Sequence, residues 1–524
     1  MNAGKLESYV AGRWQAGSAE GREMVNPTTG EELGRVDATG IDCAAAMDYA
    51  RSKGVAALQA MTFAERGLLL RAIADALSAN RDAYVEIARL NSGNTAVDAS
   101  IDIDGGIGTL KVYAGHAKKL GDATTIMEAE TQQLAREDVF RAGHIWTSRP
   151  GVGVHINAFN FPSWGMWEKV ACSLLAGVPA IAKPASATAW LSHQMVRDVI
   201  AANVLPDGVL SLICGRGDGL LDALTPFDHL AFTGSADTAL MLRKNENILT
   251  RAPRLNIEAD SVNATILGPD AAPGDVVFDL LVREAVKALS VKAGQLCTNI
   301  RRILVPADQL GEVEDAIAAK IGALMVGDPA NESVRMGPLI NKAQQQAAFD
   351  GLAALAAETT VISGGGVPPT LDGGDAERGA FVAPTLLSCA DPSNAQAVHQ
   401  TEVFGPAATI MPYGAGGAAE LAARGGGSLA VSLFSNDAAY AADTAQALAP
   451  YHGRVLVVDE EVGKNSTGHS IVMPQCVHGG PGRAGGGEEL GGLRGLRFYM
   501  QRSAIQGSPT LLSALAAGAA EAVL

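Results

Sequence analysis

Cys297 lies between Gly294-Gln295-Leu296 and Thr298-Asn299, just ahead of a β-rich run from Ile303 to Val305. A cysteine at a strand edge can face its sulfur into a cleft and act as a nucleophile. An unperturbed thiol with a pKa of about 8.5 is only slightly ionised at neutral pH, so its surroundings must activate it. The same window equally suits a small buried hydrophobe, the ordinary state of a free cysteine. The other chemistry-bearing residues have to separate the two.

Those residues fall on a recurring pattern. From about residue 151, strand-like and helical stretches alternate: strand at 152–156, helix at 164–176, strand at 179–182, helix at 188–204, strand at 209–213. A short helix, a strand at 230–233, a further helix and a strand ending at Glu258 complete the run. Repeated β-α-β units imply a parallel, doubly wound sheet. Such sheets bind ligands beyond the carboxyl ends of their strands, beside helix N-termini. Asn157 to Asn160, Lys183, Gly215-Arg216-Gly217 and Phe232-Thr233-Gly234-Ser235 all sit at those ends. Each alone reads as a turn. In register they read as a dinucleotide site, because glycine or serine lets a phosphate reach backbone N–H groups.

The flanking regions supply the supporting elements. Residues 1–35 read as short strands and turns. Thr62 and Glu65 have capping-box spacing ahead of Leu69, Ile73 and Leu77, which share a helix face. A second helix is expected through Tyr84 to Arg89, ending near Ser92-Gly93. A second α/β block, 266–475, has apolar strands near Ile303, Phe381 and Val455 and contains Cys297. Residues 132–148 have hairpin-like content. The segment from 479 is Gly-rich, then strand-like at 497–503, and ends in an Ala- and Leu-rich tail.

The chain has 524 residues, enough for two or three domains with full cores. Its formal charge of −16 argues against nucleic acid or an anionic membrane as the main partner. Six widely spaced cysteines, with no Cys-x-x-Cys pair, indicate neither a metal site nor a disulfide framework. The N-terminus lacks a signal-peptide core, and the longest uncharged apolar run, 170–182, is too short to span a bilayer. A soluble, cytoplasmic protein is expected.

Six motifs in order resemble the aldehyde dehydrogenase superfamily over nearly the whole chain. They are Phe159-Asn160-Phe161-Pro162, Ala182-Lys183-Pro184-Ala185, Phe232-Thr233-Gly234-Ser235, Asn256-Ile257-Glu258, Gly294-Gln295-Leu296-Cys297 and Glu402-Val403-Phe404-Gly405-Pro406. The resemblance implies the α/β aldehyde dehydrogenase fold. In that fold a Rossmann-like cofactor domain (1–130 and 150–265) adjoins an α/β catalytic domain (266–478). A β-hairpin oligomerisation arm (131–149 and 479–509) and a C-terminal tail (510–524) complete it. It also implies a homodimer or a dimer of dimers.

The roles implied by the resemblance are specific. Cys297 would attack an aldehyde carbon, while the Asn160 amide and the Cys297 N–H hold the oxyanion. One such donor is typically worth roughly 3–4 kcal/mol in the transition state. Glu258 would activate the water that hydrolyses the thioester, a role suited to a carboxylate raised toward neutrality by burial. Lys169 and Glu489 resemble a proton-relay pair; read alone, they are a surface lysine and a helix-start acid. Lys183 would contact the adenosine ribose and Glu402 the nicotinamide ribose. Ile156, Asn157, Ala158, Phe159, Ala185, Ser186, Gly215, Arg216, Phe232, Thr233, Gly234, Ser235, Ala259 and Phe404 would complete the cofactor site. Ser186 stands where many NAD-preferring members carry a glutamate, and Arg216 adds positive charge, so NADP is expected over NAD.

Two departures, Ala259-Asp260-Ser261 after Glu258 and the segment from His478 to Leu490, resemble family members of aerobic aromatic catabolism. These include the dehydrogenase part of phenylacetate ring-opening enzymes and members of the benzoyl-CoA pathway. That subgroup implies a CoA-linked semialdehyde substrate. The alternatives are a dehydrogenase for free aliphatic or aromatic aldehydes, and a catalytically silent protein that kept the fold.

Overall fold

Short apolar runs between 153 and 258 pair as one parallel sheet because both of their faces are covered. Val154, Ile181 and Leu230 are fully buried. In the computed structural model, which describes residues 2–368, 370–414 and 417–522, the strand order is Arg254–Glu258, His229–Thr233, Gly153–Ile156, Ala180–Lys183, Leu210–Leu212. The antiparallel hairpin of Ser8–Val10 and Arg13–Gln15 extends its edge. From the central strand Gly153–Ile156 the chain builds outward in one direction, then returns to add His229–Thr233 on the opposite flank. The strand order therefore reverses beside Gly153–Ile156, which opens a crevice at its carboxyl end.

Helices cover this sheet. The capping box of Thr62 and Glu65 starts the helix Phe63–Ala79, which buries Ile73 and Leu77. Helix Arg81–Ser92 ends at Gly93 in a left-handed cap. The longest helix, Ala96–Leu120, packs on Trp164–Leu175. Its internal glycines weaken its helical signal in the sequence. They have a packing reason: a Cβ on Gly105 would collide with the Trp164 ring.

A second seven-stranded sheet has the order Thr360–Ser363, Thr385–Ser388, Ala407–Tyr413, Ile300–Pro306, Asn263–Leu267, Ser428–Phe434, His452–Val458. It is parallel except at the Thr360–Ser363 edge. In a third sheet, Met500–Gly507 runs antiparallel to Arg141–Ser148, with Gln132–Gln133 and Ile126–Met127 alongside. No described helix is long and apolar enough to cross a membrane.

Three local expectations are corrected. No helix forms between Leu210–Leu212 and His229–Thr233, because Gly215, Gly217 and Gly219 all take positive φ and keep the segment in turns. Phe381 is a buried core residue outside any strand; the strand begins at Thr385, after Pro384. The strand expected at 497–503 begins at Met500, because Gly492–Phe498 winds into a 3₁₀ helix.

The Gly-rich run after 479 is a hairpin loop joining Val477–Gly479 to Glu488–Leu490. It lies directly on the carboxyl end of Arg254–Glu258: Ala259 N–H donates to Ala484 O and Gly487 N–H to Ile257 O. Gly485 has φ 111°, and a Cβ there would strike the Ile257 carbonyl oxygen. Gly485→Ala should therefore lift the loop, at a cost of about 1–3 kcal/mol, and slow turnover. Thermal denaturation and steady-state assay check this; wild-type values in both would show that the contact is dispensable.

Candidate active site

Cys297 sits at the end of a strained turn. Lys292 and Ala293 have φ of 49° and 51°, and Gly294 follows at 70°. Left-handed backbone costs a non-glycine residue about 1–2 kcal/mol, so the surroundings must hold it. They do so with buried donors. Arg301 Nη1 donates to Gly405 O at 2.7 Å and Nη2 to Gly294 O at 3.1 Å. A Cβ on Gly294 would collide with the Gly405 backbone, which explains why the Gln295–Cys297 and Glu402–Pro406 motifs meet. Asn263 Nδ2 donates to Cys297 O at 2.8 Å and to Asn299 O at 2.9 Å.

A narrow cavity, with about 40 Å³ of room for the centres of water-sized molecules, opens on the thiol. Cys297, Glu258, Asn160, Lys169, Thr233, Asn157 and Ala158 line it, with Phe161, Trp164 and Val472 as apolar wall. Asn160 Nδ2 donates to Gln295 O at 3.0 Å, which aims the amide from the first sheet toward the Cys297 turn. An amide nitrogen carries two N–H bonds, so one is left for an oxyanion. The Trp164–Leu175 helix supplies Glu168 and Lys169. Buried Asp102, from the Ala96–Leu120 helix, accepts the Trp164 and Ser163 N–H groups and so fixes the N-terminus of that helix.

Behind the thiol, charges alternate. Lys169 Nζ lies 3.0 Å from Glu489 Oε2, 3.6 Å from Glu168 Oε1 and 2.9 Å from Thr233 Oγ1. His478 Nε2 lies 3.7 Å from Cys297 Sγ and 3.3 Å from Glu258 Oε1, while its Nδ1 lies 3.4 Å from Glu168 Oε1. The two carboxylate contacts of His478 lie at ion-pair distance without hydrogen-bond alignment, so charge rather than directed bonding holds them. His478 and Glu489 face each other across the Val477–Gly479 and Glu488–Leu490 pairing. Lys169 is thus buried rather than a surface lysine, and Glu489 lies in a strand rather than at a helix start.

These contacts set the ionisation. Burial pushes the Glu258 carboxyl up, but His478 and Lys169 outweigh it and hold the group at about 2. The expectation of a base raised toward neutrality by burial is therefore corrected for this resting arrangement: two cations face it. Burial and the Glu258 charge push the Cys297 thiol up to about 12, with His478 opposing. Burial works against the His478 charge, yet Glu258 and Glu168 carry its pKa well above the ordinary value. Glu489 is raised by burial, with Lys169 opposing and the neighbouring carboxylates adding to the rise.

The cofactor candidates ring the crevice where the strand order reverses. Ile156 and Lys183 end adjacent strands in register, and Asn157 N–H donates to Lys183 O. Ala185 and Ser186 follow Lys183, and Gly215 and Arg216 follow the next strand. Phe232 and Thr233 end the flanking strand, and Gly234 leads to Ser235, whose hydroxyl caps the helix Ala236–Arg243. Phe404 meets Phe159 edge-on at 5.6 Å. Burial raises Glu402 to about 8; Arg301 opposes this and Asp260 adds to it. Ala259 is held by the hairpin loop, and Asp260 pairs with Arg483. Arg216 stands at the rim, 89% exposed, beside Asp218 at 3.2 Å. Glycine and small residues at the strand ends, with a helix N-terminus facing the crevice, fit a dinucleotide.

Sequence reasoning did not single out Asn263, Arg301, Glu168 or His478 as site residues. Only His478 carried a signal, as the first residue of a segment noted for departing from the family pattern. Asn263 is fully used: besides its two donations, its Oδ1 accepts from Ser261 Oγ and Ala430 N–H. Asn263→Ala should leave several buried groups unsatisfied, at about 1–3 kcal/mol each, and release the Cys297 turn. Urea denaturation together with the rate of Cys297 alkylation would register both effects.

Residues 14–505 match the profile described as the Aldehyde dehydrogenase family. The 3,4-dehydroadipyl-CoA semialdehyde dehydrogenase of Aromatoleum evansii is 50% identical over 478 residues, covering 91% of this chain and 93% of that protein. Betaine aldehyde dehydrogenase from Staphylococcus aureus superposes with a TM-score of 0.83 at 26% identity, covering 96% of this chain and 95% of the other. A structure of that enzyme in complex with NAD+ gives a TM-score of 0.82 at 25% identity, again over 96% and 95% of the two chains. With a match spanning nearly the whole chain and a thiol, a carboxylate and an amide gathered in one cavity, this chain belongs to the aldehyde dehydrogenase family, whose members are nicotinamide-linked oxidoreductases of aldehydes.

Proposed function

We propose that the protein oxidises a CoA-linked semialdehyde, 3,4-dehydroadipyl-CoA semialdehyde or a close analogue, to the corresponding acid in aerobic aromatic degradation, with NADP. The observation that carries this reading is the 50% identity to the Aromatoleum evansii enzyme over nine-tenths of the chain. The departures at 259–261 and 478–490 support it: Asp260 and Arg483, one from each segment, form an ion pair.

In this reading the Cys297 sulfur bonds to the aldehyde carbon, and the carbonyl oxygen becomes an oxyanion held by Asn160 and the Cys297 N–H. The nicotinamide, when bound, supplies the hydride acceptor. The acyl group then stays on Cys297 as a thioester until Glu258 takes a proton from the attacking water. Lys169 and Glu489, linked at 3.0 Å, carry that proton away. Lys183 and Glu402 hold the two riboses. Ser186 leaves no carboxylate against a 2′-phosphate. Asp218 competes for Arg216, so Ser186 is the stronger determinant of NADP preference.

The sheet of Arg141–Ser148 and Met500–Gly507 serves as the subunit-bridging arm of a homodimer or dimer of dimers. Val139 and Phe140, at the hairpin tip, are large exposed apolar side chains suited to such a contact.

Glu258→Gln should keep a single-turnover burst of NADPH while steady-state kcat falls about 10²–10⁴-fold; unchanged turnover would remove Glu258 from the role. The ratio of kcat/KM for NADP over NAD should clearly exceed one, and equal values would refute the preference. Turnover of the CoA-linked semialdehyde should exceed that of hexanal, whereas the reverse would favour a general dehydrogenase. Sedimentation of Val139→Asp/Phe140→Asp should show a smaller species than wild type.

A further inference from the structure

The mechanism above leaves one group at the reacting sulfur unused. His478 is the only imidazole lining the cavity among the described residues. One nitrogen faces both Cys297 Sγ, at 3.7 Å, and Glu258 Oε1, at 3.3 Å; the other faces Glu168 Oε1 at 3.4 Å. A histidine with a carboxylate at each nitrogen is held as the imidazolium. The hairpin register delivers it: His478 pairs with Glu489, and the Gly-rich loop of the same hairpin is pinned to the end of the Glu258 strand.

We propose that His478 is a positioning residue that holds the Glu258 carboxylate beside Cys297 and supplies the positive charge against which the thiolate forms. This rests on Cys297 as nucleophile and Glu258 as base. In the step it serves, the proton of the Cys297 thiol moves to a Glu258 carboxylate oxygen, and the freed sulfur electron pair bonds to the aldehyde carbon. His478 keeps its own proton throughout. Burial raises the thiol most, and the Glu258 charge adds to it; that second contribution disappears once Glu258 holds the proton. The thiolate then faces the imidazolium at 3.7 Å, with the Arg301 and Arg454 charges acting in the same sense.

The groups around His478 are Glu258 from its strand, Cys297 from its turn, Glu168 and Lys169 from the Trp164–Leu175 helix, and Glu489 from the paired strand. The balance is three carboxylates against two cations. Removing the imidazolium leaves Lys169 as the cation of the cluster, with Arg301 and Arg454 acting on Cys297, so both the thiol and the Glu258 carboxyl must titrate at higher pH.

The test is the pH dependence of iodoacetamide labelling at Cys297 in the full-length enzyme, read by peptide mass spectrometry because Cys476 is exposed and will label too. His478→Gln should move the labelling profile and the acid limb of kcat up by about one unit or more, since an opposite charge this close is worth about 1–3 units. His478→Ala should show the same shift, partly reversed by added imidazole, and it serves if the glutamine variant does not fold. Unshifted profiles in a folded variant, or no response to imidazole, overturn the proposal. Turnover persisting in Cys297→Ser would instead strike the thioester reading on which it rests.

Discussion

Charge balance in a buried cluster governs the site. Glu168, Glu258 and Glu489 meet Lys169 and His478 with almost no solvent between them. Isolated buried charges are strongly destabilising, whereas alternating ones can be held if every member has a counterpart. The cluster draws on three segments: a helix, a sheet strand and a late hairpin. Moving any of them by an ångström would leave a buried charge unpaired. That coupling ties the chemistry to the packing of the whole cofactor-side sheet.

The turn that carries Cys297 depends on the same logic with neutral groups. Three successive left-handed residues are tolerated because Arg301 and Asn263 take up the carbonyls around them. Arg301 spans from that turn to the Glu402–Pro406 segment, so the candidate nucleophile and a candidate ribose-binding residue are set by one guanidinium. Burial lowers the Arg301 pKa, with Glu402 opposing, yet its two terminal nitrogens donate three hydrogen bonds to the backbone carbonyls of Gly294, Leu296 and Gly405, which require no partner charge.

The crevice for the dinucleotide comes from topology. The chain lays down strands on one side of Gly153–Ile156 and then on the other, so successive connections diverge and leave a gap at the carboxyl ends. Lys183 and Thr233, 50 residues apart in sequence, end strands on opposite sides of the central strand. Thr233 also joins the two chemistries, since its hydroxyl accepts from Lys169 and donates to Glu258.

Local signals in the sequence determined much of this protein. Alternating apolar strands and helices foretold the parallel sheet, Thr62 and Glu65 the start of a helix, and the six motifs the family, with residues of four of them around one cavity. Those signals are local because capping, periodicity and strand-end glycines act over a few residues. The glycine-studded Ala96–Leu120 helix was not legible, because its stability comes from packing on Trp164 rather than from propensity. Asn263 and Arg301 look ordinary in the chain, because a hydrogen bond to a distant carbonyl leaves no periodic trace. The ionisation of Glu258 is not legible for the same reason. Burial can be guessed from an apolar strand, but the cations that outweigh it arrive from residues 169 and 478. Only the tertiary structure brings a histidine 181 positions from Cys297 to within 3.7 Å of its sulfur, because strand pairing and loop docking, not sequence proximity, decide which charges share a dielectric.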